Sequence, residues 1–140
     1  MTAVDAPVLI HAHHSSLPGH PRSLARLTAL AEGDEPWGIP LACLAQFVRV
    51  ITHPRFPTPF SPEEACDALA RLFASESLHV LTPGPRFAGI WMDALKRGGA
   101  RGNLVFAAEV YAVCREAGVR LLVTEDADFA RFSDLPTERP

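Results

Sequence analysis

The chain has no excess of positive charge, no long apolar run, no glycine-rich phosphate loop and no paired cysteines, and each gap removes a class of function. Lys and Arg number 13 against 16 Asp and Glu, for a formal net charge of −3. That balance argues against a broad cationic surface of the kind that grips phosphate backbones without regard to sequence. A nuclease whose cations offset its own acids passes this test. No stretch reaches the roughly 20 apolar residues that a bilayer span needs, and the N-terminus shows no basic region followed by an apolar run, so no membrane or secretion signal is read. Neither GxGxxG nor GxxxxGK[ST] occurs, which places a small-molecule enzyme on a doubly wound sheet third among the readings. Cys43, Cys66 and Cys114 are the only cysteines. None is arranged as CxxC and all fall in apolar helical patterns, so they read as small buried hydrophobes in a reducing cytoplasm.

What remains is an ordinary globular composition, 48% hydrophobic and 21% charged over 140 residues. One domain, residues 1–140, is expected, able to bury roughly two thirds of its unfolded surface. Residues 4–10 read as a first strand and 11–20 as a loop. Pro21 opens a helix with Leu24, Leu27, Leu30 and Ala31 at helical spacing, closed by Gly33. Trp37–Ile39 is too short to assign and leads into Leu41, Leu44, Phe47, Val48 and Ile51, a second amphipathic helix ending before Pro54. A proline-rich connector, 54–60, precedes Ser61, Pro62, Glu63 and Glu64, which carry helix-start chemistry. His79–Leu81 reads as a strand. Two more helices run from about Arg86 to Gly98 and from about Asn103 to Gly118, and the apolar run 119–124 reads as a buried strand. Strands alternating with helices predict a parallel sheet covered on both faces.

The informative residues are acids. Asp126 and Asp128 follow the last strand, and Asp5 lies in the first apolar run. Parallel neighbouring strands would bring them together in the crevice where open α/β sheets hold ligands. Each also has a plainer reading: Asp5 as a turn former or cap, Asp126 as the cap of a short helix.

Five segments, VDAPVLIHAHH, QFVRVITHPRF, PGPR, ARGNLVFAAEVYAVCREAG and LLVTEDADFARF, span residues 4–132. In order and spacing they resemble PIN-domain ribonucleases of the VapC toxin type. The resemblance implies a three-layer α/β/α sandwich around a parallel sheet. It also implies four acids at the sheet's carboxyl edge that hold Mg²⁺ or Mn²⁺ for RNA hydrolysis, a small antitoxin that covers them, and a homodimer. Mg²⁺ prefers oxygen ligands and keeps much of its water, and bound water becomes a better nucleophile, which is why such a site is rich in carboxylates. Carried over by position, the first acid falls on Asp5 and the fourth on Asp126, with Asp128 as an accessory acid. The second falls on Gln46 and the third on Ala107, and the Asn that commonly follows the first acid falls on Pro7. Gln46 keeps a neutral oxygen; Ala107 keeps none. Glu109 is set about 200° around the helix from Ala107 and is a poor replacement. Half the anionic charge is therefore missing, so activity is in doubt, and a non-catalytic module that binds RNA or an antitoxin is the alternative. Gln for Glu and Ala for Asp are also the changes that would silence a nuclease by design, whereas Pro7 speaks for natural divergence.

Other candidates are weaker. His11, His13, His14 and His20 could suggest zinc, but a polar loop after a strand explains them far better. Among the cations Arg49 and Arg101 are the best placed for RNA, being nearest the acid motifs. Asn103 suits a helix cap that points toward a phosphate. Trp37 and Trp91 sit within apolar patterns, where packing is favoured over base stacking.

Overall fold

The computed structural model describes all 140 residues. In chain order they form β1 (Thr2–Val4), α1 (Ala6–Ala12), α2 (His20–Glu32), β2 (Trp37–Pro40), α3 (Leu41–Ile51), α4 (Pro62–Phe73), β3 (Leu78–Leu81), α5 (Phe87–Gly98), α6 (Asn103–Glu116), β4 (Leu121–Val123) and β5 (Thr137–Glu138). A short 3₁₀ helix, Ala127–Arg131, links the last two strands. All pairings are parallel, in the order β3-β2-β1-β4-β5, with Ala3 between Gly38 and Leu122. The chain steps outward from β1 to β3 and then returns to the far side of β1. Right-handed crossovers in opposite directions put α1–α4 on one face and α5 and α6 on the other. The packing follows that division, with α1 against α2 and α3, and α5 against α6. The result is the α/β/α sandwich expected. No helix is long and apolar enough to cross a membrane.

Local chemistry explains most boundaries. Ser61 Oγ accepts from the Glu64 N–H while Glu64 Oε1 accepts from the Ser61 N–H, both at 3.1 Å, a reciprocal cap with Pro62 at the first helical position. Trp37 settles the unassigned segment: it opens β2, is fully buried and donates its Nε1–H to Ser75 Oγ at 3.2 Å. Gly102 precedes α6 with φ 56° and ψ −128°, a conformation open essentially to glycine alone, and so fixes where α6 starts.

Several expectations need correction. The first strand is not 4–10: β1 ends at Val4, and the same apolar run becomes α1, because Asp5 caps it, Pro7 fits the first turn, and Val8, Leu9 and Ala12 fall on one buried helical face. The loop expected at 11–20 accordingly begins after Ala12. The last long strand is Leu121–Val123 rather than 119–124. β5 was not anticipated, being two polar exposed residues with no apolar signature. Cys66 is exposed, unlike Cys43 and Cys114, because it lies on the outer face of α4. Asn103 does not cap α6; it is the helix's exposed first residue and Gly102 occupies the cap.

Candidate active site

The strand order reverses direction between β1 and β4, and the acids lie at the carboxyl ends of these two strands. Asp5 directly follows β1, its N–H bonded to the Val123 carbonyl at 3.0 Å. Its side chain is buried, 1% exposed. Oδ1 accepts from the Ala6 N–H at 2.8 Å and from the Cys43 thiol at 3.5 Å, and Oδ2 accepts from the Thr124 hydroxyl at 2.7 Å. Thr124, just past β4, in turn accepts from the Asp126 N–H at 3.0 Å. Asp126 Oδ1 then accepts from the Asp128 N–H at 2.8 Å and caps the 3₁₀ helix. The plainer readings of Asp5 and Asp126 as caps thus hold alongside their closeness to each other.

Burial is the largest influence on the Asp5 carboxyl and raises it above its ordinary value. The bonds from Thr124, Ala6 and Cys43 pull it down, and the Asp126 charge adds to the rise. Burial, with Asp5 beside it, also pushes the Cys43 thiol well up, so that thiol is a neutral donor. The same two influences push Cys114 up to about 12.

The other expected positions are less rich. Asp128 is exposed, Gln46 is half-buried on the helix that carries Cys43, and Ala107 is buried at 1%. Glu109 is half-buried, whereas every other residue from 107 to 114 is buried. Nowhere do three His, Cys, Asp or Glu side chains form a group able to hold a metal ion. A Mg²⁺ or Mn²⁺ ion therefore does not fit the residues present: Asp5 is buried and already accepts three hydrogen bonds, and no third acid converges on it.

The histidines are spread over α1, the following turns and the start of α2. His13 Nδ1 lies 2.7 Å from the Leu9 carbonyl, His20 Nδ1 lies 2.9 Å from the His11 carbonyl, and His14 bonds Ser16. Arg49 is exposed and lines a cavity of about 250 Å³ with His53, Arg55 and Phe56. Arg101 is exposed just before α6. Trp91 stacks on Phe87, with ring centroids 5.5 Å apart. Sequence reasoning missed two residues of this edge. Thr124 joins the two acids, and its only signal is a hydroxyl between an apolar strand and Asp126. Cys43, read as filler, touches Asp5, and no spacing rule would have found that.

The family model described as PIN domain matches residues 2–135. Ribonuclease VapC43 of Mycobacterium tuberculosis is 36% identical over 141 residues, covering 100% of this chain and 95% of that protein. Ribonuclease VapC37 of the same organism is 32% identical, covering 100% and 97%. Among solved structures, M. tuberculosis VapC20, described as a Sarcin-Ricin loop cleaving toxin, superposes with a TM-score of 0.74 at 18% identity, covering 100% of both chains. VapBC2 from Rickettsia felis, bound to a DNA fragment from its promoter, superposes with a TM-score of 0.69 at 16% identity, covering 99% and 97%. The fold, the paired acids across the reversal point and these full-length likenesses agree: the chain belongs to the PIN-domain family, among the VapC ribonucleases.

Proposed function

We propose that this chain is the toxin-type member of a VapBC-like pair, an endoribonuclease scaffold whose cutting centre is attenuated because two of its four acidic positions are Gln46 and Ala107. One observation carries the reading. Thr124 links the Asp5 carboxylate to the backbone N–H of Asp126 across the reversal point of the sheet, in a chain 36% identical to a VapC ribonuclease along its whole length. With carboxylates restored at 46 and 107, the set becomes oxygen-rich and anionic, suited to Mg²⁺ or Mn²⁺, with Asp128 as a supporting acid. Arg49 and Arg101, with Asn103 at the start of α6, would meet RNA phosphates at the rim. VapBC and FitAB assemblies among the solved likenesses support a cognate antitoxin as partner. A homodimer in the cytoplasm completes the proposal.

The test is a cleavage assay on structured RNA with Mn²⁺, comparing the natural chain with Gln46→Glu/Ala107→Asp. The double variant is expected to cut at least ~100-fold faster, the scale on which metal-site ligation governs activity. A second reading, a non-catalytic module that binds RNA or antitoxin, is favoured by the closed hydrogen-bonding of Asp5. It wins if neither protein cuts while both bind.

A further inference from the structure

The Asp5 carboxylate is surrounded by donors rather than open toward a ligand. It receives one bond from α1, one from α3 and one from the end of β4, each from a different element. Only 1% of the residue is exposed. Thr124 gives its hydroxyl proton to Asp5 and accepts the Asp126 backbone N–H with its oxygen. Asp126 spends Oδ1 on the Asp128 N–H. The acids on this edge therefore work as caps and ties among β1, α1, α3, β4 and the 3₁₀ helix.

We infer that Asp5 in this chain is a fold staple and not a metal ligand: with positions 46 and 107 no longer acidic, the first acid is retained because its hydrogen bonds lock α1, α3 and β4 together. The inference concerns the same edge as the proposed function, but it makes no use of RNA cleavage.

The two roles predict opposite signs. A ligand carboxylate in a metal-free site is held among like charge, so a neutral isostere relieves repulsion and stabilises the protein. In a staple, Asn keeps one acceptor oxygen but sets an amide N–H against a buried donor such as the Thr124 hydroxyl, and that mismatch outweighs the relief of burying charge, so the same replacement destabilises it.

The experiment is thermal melting of the full chain in EDTA and in excess Mn²⁺, for the natural protein and for Asp5→Asn, Thr124→Val and Thr124→Ser. In EDTA, Asp5→Asn and Thr124→Val are each expected to lower Tm by roughly 5–10 °C, the size that lost buried hydrogen bonds produce in a domain of this length. Thr124→Ser keeps the hydroxyl and should melt close to the natural protein. Mn²⁺ should leave the natural Tm where EDTA puts it. If Asp5→Asn fails to fold at all, the graded Thr124 pair carries the same comparison. A rise in Tm for Asp5→Asn in EDTA, no change in either Asp5→Asn or Thr124→Val, or a clear Mn²⁺-dependent rise for the natural chain that Asp5→Asn abolishes would each overturn the inference. Such an outcome would leave the nuclease scaffold reading standing, because cleavage by the restored variant is measured separately.

Discussion

Helices α3 and α6 each hold one of the two positions, Gln46 and Ala107, at which the proposed reading puts a missing family acid, and their surroundings differ. Gln46 lies half-buried on α3, a helix with one apolar face directed at the core through Cys43, Leu44, Phe47 and Ile51. Ala107 lies on α6, where Ala107, Ala108 and the whole run from Val110 to Cys114 are buried. Water reaches the first position and not the second. A carboxylate at 46 can remain solvated without a cation, whereas one at 107 must be matched by a cation or stay protonated. On the proposed reading, loss of an acid at 107 would relieve a desolvation penalty in the metal-free scaffold, and loss at 46 would relieve little. The same chemical loss would be a stability gain on one helix and nearly neutral on the other.

Several measurements would break or sharpen that contrast. The largest effect is expected in calorimetric titration with Mn²⁺: Gln46→Glu/Ala107→Asp should bind roughly 100-fold more tightly than the natural chain, because ligand charge dominates affinity for hard cations. Equal affinities would show that charge is not what the edge lacks. Next, Ala107→Asp alone, unfolded in EDTA by urea, should lose about 2 kcal/mol from burying an unmatched carboxylate. Adding Mn²⁺ should return part of that loss once position 46 is also acidic. Smaller is a pH effect on the α1 side of the site. Burial, with help from the Arg71 and His20 charges, lowers His13 below its usual value of 6.5 despite the bond to the Leu9 carbonyl. The unfolded chain therefore takes up a proton at a pH where the folded chain does not. Stability contributed by neutral His13 is present above 6.5 and lost as pH falls from there toward the folded value. His13→Gln should flatten that slope in melting curves taken across this range. The smallest effect is expected for Gln46→Glu alone, within about 0.5 kcal/mol of the natural chain in EDTA.

Much of the scaffold was legible because its signals are local. Helical spacing placed α2 through α6 within a residue or two at most ends, and Ser61 with Glu64 marked a cap by chemistry alone. That Asp5 and the segment carrying Asp126 end neighbouring parallel strands was legible too, from the rule that parallel neighbours present their carboxyl ends to one crevice. The first strand was overextended because a short apolar run such as Val4–Ile10 fits either period, and only tertiary pairing stops β1 at Val4. β5 escaped because Thr137 and Glu138 pair through backbone atoms, which leave no trace in side-chain pattern. Thr124 and Cys43 escaped for a related reason: their roles depend on which atoms face Asp5 after the strands align. Cys66 was misjudged because a cysteine's burial follows from its helical face, and α4 turns that face to solvent.

The hydrogen bond between Thr124 and Asp5 spans 119 residues of sequence, and β1 sits between β2 and β4. During synthesis the first strand emerges with one of its two neighbours still unmade. Until the last fifth of the chain appears, the central strand lacks one of its partners, and an unpaired strand edge is a template for pairing with another chain. A binding partner present at translation would meet that unfinished sheet before the completed molecule exists.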